Sequence, residues 1–412
     1  MTGRRAISAF AGYGIELEYM IVDRTSLAVR PLAAEVLPAL RARATSRRTA
    51  TPLDWSNELV AHVVETKNVA PTPAIDTLPQ CFAAALREAN ELLAPMDARL
   101  MPTAMHPWMN PARETVLWDD ATDVYRTYDR IYGCRGHGWA NLQSMHVNLP
   151  FADDSQFARL HAAIRLVLPL LPALAASSPI AEGSVMEVLD FRLDAYYAIC
   201  ALTPRVAGDV VPETVESRAE YEARILAPMY DEIAPFDPAG VLRHEWLNSR
   251  GAIPRFDRDA IEIRLIDVQE CPLADLSIAA AAIAVIEWLY AERSAPLAEQ
   301  QAQETSVLAG LLRATIRDAD DAIVDNVAYL RALGIGATRC TAGNAWRALL
   351  DACARDATLA GVWWRAPLDV IIEHGPLARR ILRATGACPS RRKLHDVYST
   401  LCDCLRDGRM FA

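Results

Sequence analysis

Lysine is nearly absent: Lys67 and Lys393 are the only two in 412 residues. No glycine-rich loop closes on Lys-Ser or Lys-Thr, so the P-loop way of holding nucleotide phosphates is excluded. Any phosphate clamp must be built from arginine, metal or backbone. Basic residues as a whole are outnumbered, and the formal net charge of −10 argues against a general binder of nucleic acid or of anionic membranes. The nine cysteines are scattered, odd in number and without a Cys-x-x-Cys pair: Cys81, Cys134, Cys200, Cys271, Cys340, Cys353, Cys388, Cys402 and Cys404. That pattern predicts reduced core thiols in a cytoplasmic protein. The longest apolar stretches, 166–176 and 278–286, fall short of the ~18–20 residues that span a bilayer. Met1-Thr2-Gly3-Arg4-Arg5 is basic, but no sustained apolar segment follows, so no signal peptide is expected. No internal repeat, low-complexity tract, Ser-His-Asp set or Cys-His pair stands out. With 52% hydrophobic and 23% charged residues the chain is globular rather than disordered.

What is present is a set of acidic strands. The segment Gly14-Ile15-Glu16-Leu17-Glu18-Tyr19-Met20-Ile21-Val22-Asp23 alternates with period two. As a strand it points Glu16 and Glu18 to one face and Ile15, Leu17 and Tyr19 to the other. The two acids are either an ordinary solvent-facing pair or a buried pair that needs a cation between them. In Ala260-Ile261-Glu262-Ile263-Arg264-Leu265-Ile266-Asp267, Glu262 and Arg264 share a face, either as a plain salt bridge or as a metal ligand beside a phosphate clamp. Ser144-Met145-His146-Val147-Asn148-Leu149 places His146 and Asn148 together, and Glu65 follows Glu58 by seven residues. An odd spacing faces Glu58 and Glu65 apart in one unbroken strand. A bulge or bend lies between them, or Glu58 stands at the strand entrance, or it is not a ligand.

Taken in order, the E-x-E strand, the spaced glutamates, the His-Val-Asn strand and the E-x-R strand resemble the glutamate–cysteine ligase family, in its bacterial carboxylate–amine ligase branch. Gly14, Met105-His106-Pro107, the Leu168–Leu174 segment, Ser177-Ser178-Pro179-Ile180 and Asp267-Val268-Gln269 add to the likeness. It covers roughly residues 10–290. Two features depart from the branch. Its His-Val-His-Val reads Met145-His146-Val147-Asn148 here, and an Asp-Thr-Gly is missing from the middle loop before Arg192.

The resemblance implies an α+β, glutamine synthetase-like fold: a curved, mainly antiparallel sheet with flanking helices. Residues 1–295 would form the catalytic core, and 296–412 a helical region packed on it. The implied reaction joins a carboxylate, by default the γ-carboxylate of glutamate, to an amine, by default cysteine, as in glutathione biosynthesis. It uses ATP with Mg²⁺ or Mn²⁺, and passes through an acyl phosphate to ADP. Glu16, Glu18, Glu58, Glu65, His146 and Glu262 would hold the metal. Arg264, Arg250 and Asn148 would meet the nucleotide, and Arg264, Arg250 and Arg192 would act in catalysis. Arg192 could equally pair with a neighbouring aspartate, Lys67 with Glu65, and Asn248 could hold a substrate. The partners are small molecules, not nucleic acid or membrane, and a homo-oligomer stays open. So do a guanidino-type kinase on the same architecture and a non-catalytic binder of metal or nucleotide.

Strands are expected at 13–23, 57–68, 99–105, 144–150 and 259–267. Helices are expected at 32–44, 76–94, 155–176, 185–200 and 217–234. From Pro272 on the chain reads as all helix, at 275–293, 304–333, 342–355, 367–384 and 391–406. Asp275 and Ser277 would cap the first of these, and Trp346, Trp363 and Trp364 would pack the tail.

Overall fold

In a computed structural model, residues 6–46, 51–119, 123–199, 201–355 and 363–411 are described. Met1–Arg5 and Cys200 lie outside them. Seven strands form one sheet: β1 Gly14–Asp23, β2 Leu53–Asn57, β3 Val63–Asn68, β4 Ala98–Met101, β5 Ser144–Pro150, β6 Ala252–Arg255 and β7 Ala260–Asp267. Their order is β2-β3-β1-β5-β7-β6, with β4 also pairing β1, and every pairing is antiparallel. The period-two pattern places the faces as the sequence implies. Ile15, Leu17, Tyr19 and Ile21 are fully buried against the helices, and Glu16 and Glu18 line the opposite face.

The expected strand 57–68 is a hairpin instead, with β2 and β3 separated by residues 58–62. The chain turns between the two glutamates, which removes the parity conflict. Strand β6 was not expected; it contains Pro254 and lies at the sheet edge, where a missing N–H is tolerated. Between β5 and β7 the register shifts. Asn148 faces Glu262 and Val147 faces Ile263, but Met145 faces Ile266, so Arg264 and Leu265 together stand against His146. This bulge returns Asp267, opposite Ser144, to the Glu262 face.

Prolines and glycines shorten the expected helices. The helix begun at Asp154 stops at Val167, and Pro169 and Pro172 divide the rest into a 3₁₀ turn and Pro172–Ala175. The helix expected over 185–200 begins at Phe191, with the Asp190 carboxylate capping Leu193 N at 3.0 Å. The C-terminal third is not wholly helical. The 304–333 segment breaks after Asp318, and Ile323–Val324 pairs with Cys340–Thr341. Gly375, at φ +78°, and Pro376 split 367–384 in two.

Helix Pro272–Tyr290 starts three residues earlier than expected, on Pro272. Asp275 does not cap that helix; it accepts from Gln269 N at 2.7 Å. Ser277 donates back to Leu273 O at 2.6 Å. By length and composition alone this helix could cross a membrane, but most of it is buried in the core between helices. No other helix among the described residues passes that test. Trp346 is fully buried and donates from Nε1 to Leu170 O at 2.7 Å, and Tyr329 reaches Leu166 O at 2.6 Å. One hydrophobic cluster therefore runs across residue 295 without a break.

Candidate active site

The acidic strands converge on the face opposite the helical core. Glu16 stands opposite Lys67 on β3 and His146 on β5, and Glu18 stands opposite Glu65. Gly14 faces Asn148, and a Cβ on it would lie 2.9 Å from Asn148 Cβ. The glycine thus lets Asn148 come in and donate to Glu16 Oε1 at 3.2 Å. His146 Nδ1 lies 3.4 Å from Glu16 Oε2, and its Nε2 lies 2.9 Å from Ser144 Oγ. Ser144 donates to Glu18 Oε2 from its N at 2.7 Å and from its Oγ at 3.1 Å. Glu65 accepts from Ser56 Oγ at 2.6 Å and from Lys67 Nζ at 2.5 Å.

Two donor groups result. Glu16, Glu65 and His146 offer ligand atoms within 4.8 Å of one another, and so do Glu18, Glu58 and Glu65. Glu65 belongs to both. Like charges ~4–5 Å apart repel by roughly 3–4 kcal/mol at an effective dielectric of ~20, and the carboxyl groups register it. Burial lifts Glu58 well above the ordinary carboxylate value, and the charges of Glu65 and Glu18 lift it further. Burial and the Glu16 charge raise Glu65 to about 7 against the pull of Lys67. Burial works to raise Glu16 too, but the hydrogen bond and charge of His146, with the Lys67 charge, hold it below the ordinary value. For His146, burial is outweighed by Glu16, Glu18 and Glu262, which raise its imidazole. Carboxylates crowded until some keep their protons are what a hard divalent cation relieves. The donor set fits Mg²⁺ or Mn²⁺.

Glu262 stands beside these groups rather than in them. Its Oε1 meets Arg264 Nε and its Oε2 meets Arg255 Nη1, each at 3.1 Å, and His146 Nδ1 is 3.9 Å away. Arg264 is partly exposed and also donates to Asn248 O at 3.4 Å. Arg192 is buried in a direct ion pair with Asp267, and the charge of the neighbouring Asp190 also bears on it. Asp267 also accepts from Ser177 N at 2.8 Å and Ser178 Oγ at 3.0 Å.

The structure does not bring Arg250 to the site. Its fork closes on Glu213, with Nε and Nη2 each 2.6 Å from a carboxylate oxygen, and Nη1 donates to Arg205 O and Asn248 Oδ1. Asn248 is committed as well, donating to Tyr221 OH at 2.6 Å. Ser56, Ser144, Arg255 and Arg258 were not anticipated. Ser56 and Ser144 do sit two residues from an expected ligand or strand partner, which is the signal that could have found them.

A cavity opens on each side of this floor. One of about 300 Å³ is lined by Gly14, Glu16, Lys67, Asn68, Asn148 and Arg258 among others. The second, of about 530 Å³, is lined on its charged side by Glu18, Glu58, His146, Arg192 and Arg264, and elsewhere by apolar and aromatic side chains.

A family model described as "Glutamate-cysteine ligase family 2 (GCS2)" matches residues 13–399. An uncharacterized protein of Archaeoglobus fulgidus is 34% identical over 270 residues, 65% of this chain and 72% of its own length. A Nocardioides sp. protein named "Putative glutamate--cysteine ligase 2-1" is 27% identical over 277 residues, 66% of this chain and 67% of its own. The crystal structure of the glutamate–cysteine ligase of Francisella tularensis in complex with AMP aligns with a TM-score of 0.64, over 97% of this chain and 90% of that one. At 12% identity the likeness is one of fold, the α+β, glutamine synthetase-like arrangement expected from the sequence.

Proposed function

This chain belongs to glutamate-cysteine ligase family 2, and from that premise we propose that it joins a carboxylate to an amine, using ATP and Mg²⁺, through an acyl phosphate. The observation that carries the reading is the position of Glu65, shared by two donor groups on a floor between two cavities. The smaller cavity, beside Glu16, suits the nucleotide, and the larger, beside Glu18 and Glu58, suits the acid and the amine. Their phosphate and carboxylate ends would then meet over the acidic floor.

Glu16, Glu65 and His146 would hold one cation, and Glu18, Glu58 and Glu65 another. Bound there, the metal offsets the repulsion between the triphosphate and the attacking carboxylate. Lys67 keeps Glu16 and Glu65 from being neutralised by protons alone. Burial works to lower its ammonium, but the charges of Glu65 and Glu16 raise it. Asn148 fixes the rotamer of Glu16. Arg264 presents a planar, permanently charged fork beside Glu262 and serves the transferring phosphate. Arg192 lines the larger cavity, so it is the cation placed to meet the acid. Glutamate as the acid fits that charge, and ATP as co-substrate fits the cytoplasmic location expected from the sequence.

Arg264→Lys keeps the charge and loses the fork. Turnover is expected to fall ~10²-fold, the order of loss for one preorganised charge stabiliser. Near-normal turnover in a folded variant would reduce Arg264 to a partner of Glu262. Hydroxylamine tests the reaction itself, because it is a small and strong nucleophile that captures acyl phosphates. With glutamate or a panel of other acids, ATP and Mg²⁺, it should yield a hydroxamate and stoichiometric ADP. AMP and pyrophosphate would overturn the acyl phosphate in favour of adenylation. ADP without hydroxamate on any acid would point to a kinase, and no nucleotide turnover at all would leave a binding protein.

A further inference from the structure

The larger cavity has a wall that the reaction at the acidic floor does not use. Helix Val124–Tyr132 carries Tyr125, Tyr128 and Tyr132 at spacings of three and four, which places them along one face. Trp139 comes from the short helix His137–Ala140 and packs on this face, with ring centroids 5.3 Å from both Tyr128 and Tyr132. Gly138 makes that approach feasible. A Cβ there would lie 2.1 Å from Ile199 Cγ2 and 2.8 Å from Ala195 O, so any side chain would push the short helix off helix Phe191–Ala198. Trp246 closes the wall, 5.8 Å from Tyr128. Trp139, Trp246, Tyr125 and Tyr128 are each only partly buried, and all line the cavity.

The charged lining groups are linked to one another and already assigned. Arg192 is tied to Asp267 and serves the acid, Arg264 is tied to Glu262 and serves the phosphate, and Glu18, Glu58 and His146 belong to the floor. Among the described residues lining this cavity no further cation remains to receive a carboxylate on the second substrate. At about 530 Å³ the space, which takes the acid as well as the amine, lies within the ~300–1,000 Å³ range of drug-sized ligand pockets.

We propose that the amine acceptor is an aromatic amine without a carboxylate, an arylalkylamine, whose ring stacks among Tyr128, Trp139 and Trp246. The proposal rests on the ligase reading and specifies its second substrate. Aromatic rings stack on one another with a preference beyond area burial, while the wall offers an α-amino acid no cation for its carboxylate. In the first step a carboxylate oxygen of the acid bonds to the γ-phosphorus and the bond to the β-phosphate oxygen breaks, releasing ADP. In the second the amine lone pair attacks the acyl carbon and the bond to the phosphate oxygen breaks. One N–H proton leaves with the phosphate, and an amide remains.

The test uses the purified full chain with the acid that gives a hydroxamate. ADP release is then compared with 2-phenylethylamine, tyramine, butylamine and cysteine as acceptors. The aryl amines are expected to exceed cysteine and butylamine at least tenfold in kcat/KM. In Trp139→Leu and Trp246→Leu, kcat/KM for 2-phenylethylamine relative to hydroxylamine should fall about tenfold, chiefly through KM. A preference for cysteine, equal use of butylamine, or an unchanged ratio in both variants would overturn the aromatic acceptor and leave the ligase intact. Hydroxamate formed only from aryl acids would move the ring to the acid and overturn the assignment to the amine. Absence of hydroxamate with every acid would overturn the ligase reading, and this proposal with it.

Discussion

Glu65→Gln is expected to lower turnover by on the order of 10²–10³-fold while leaving the metal-free protein no less stable at pH 8. The two effects have one source. Glu65 is the carboxylate common to both donor groups, so a neutral amide in its place weakens both at once. Yet burial and Glu16 hold its folded value near 7, above the ordinary carboxylate value. A carboxyl raised in this way keeps a proton that the unfolded chain has already released. Its contribution to stability is full below about pH 4.5 and is lost as pH rises through about 7. At pH 8 an ionised Glu65 strains the metal-free fold, and glutamine removes the charge at nearly constant volume. Lys67 is not left without a partner, because it also feels the charge of Glu16. Thermal melts at pH 5.5 and pH 8, with and without millimolar Mg²⁺, check this. The wild type should gain stability from Mg²⁺ at pH 8, and the variant should gain clearly less. Equal gains, with turnover retained, would remove Glu65 from the metal site.

Much of the acidic floor was legible because alternation alone decides which face a strand residue takes. Glu16, Glu18, His146 and Asn148 needed no knowledge of their neighbours. The hairpin between Glu58 and Glu65 was not legible, because its loop, Glu58-Leu59-Val60-Ala61-His62, contains no glycine, proline or asparagine to mark a turn. Pro254 hid an edge strand for the opposite reason, since it reads as a breaker. Charge pairing was the least legible part. Arg250 found Glu213 and Arg192 found Asp267, 37 and 75 residues away in sequence, and no local pattern says which distant acid a buried arginine will meet. The bulge opposite His146 belongs to the same class. It exists only in the pairing of two strands, yet it decides that Asp267 shares a face with Glu262. The aromatic wall was invisible because its five rings come from three segments, each unremarkable alone.

Asp267→Ala is expected to give the largest loss of stability among these variants, about 3–5 kcal/mol. Asp267 is fully buried and accepts from the guanidinium of Arg192, the backbone of Ser177 and the hydroxyls of Ser177 and Ser178. Its removal leaves the buried Arg192 charge without the carboxylate it pairs with, and it is that charge that costs most. The pair is also the hinge between fold and site. The Asp267 carboxylate is placed by the bulge in the sheet, and Arg192 carries that placement to the cavity. Urea unfolding of Asp267→Ala, Arg192→Leu and the double variant separates the terms. If the orphaned guanidinium dominates, the double variant should be more stable than Asp267→Ala alone, because the unpaired charge is gone. Activity should not return with stability, since Arg192, the group assigned to the acid, is then missing from the cavity. A double variant as unstable as the sum of its singles would mean that the lost serine hydrogen bonds dominate and that the ion pair is incidental.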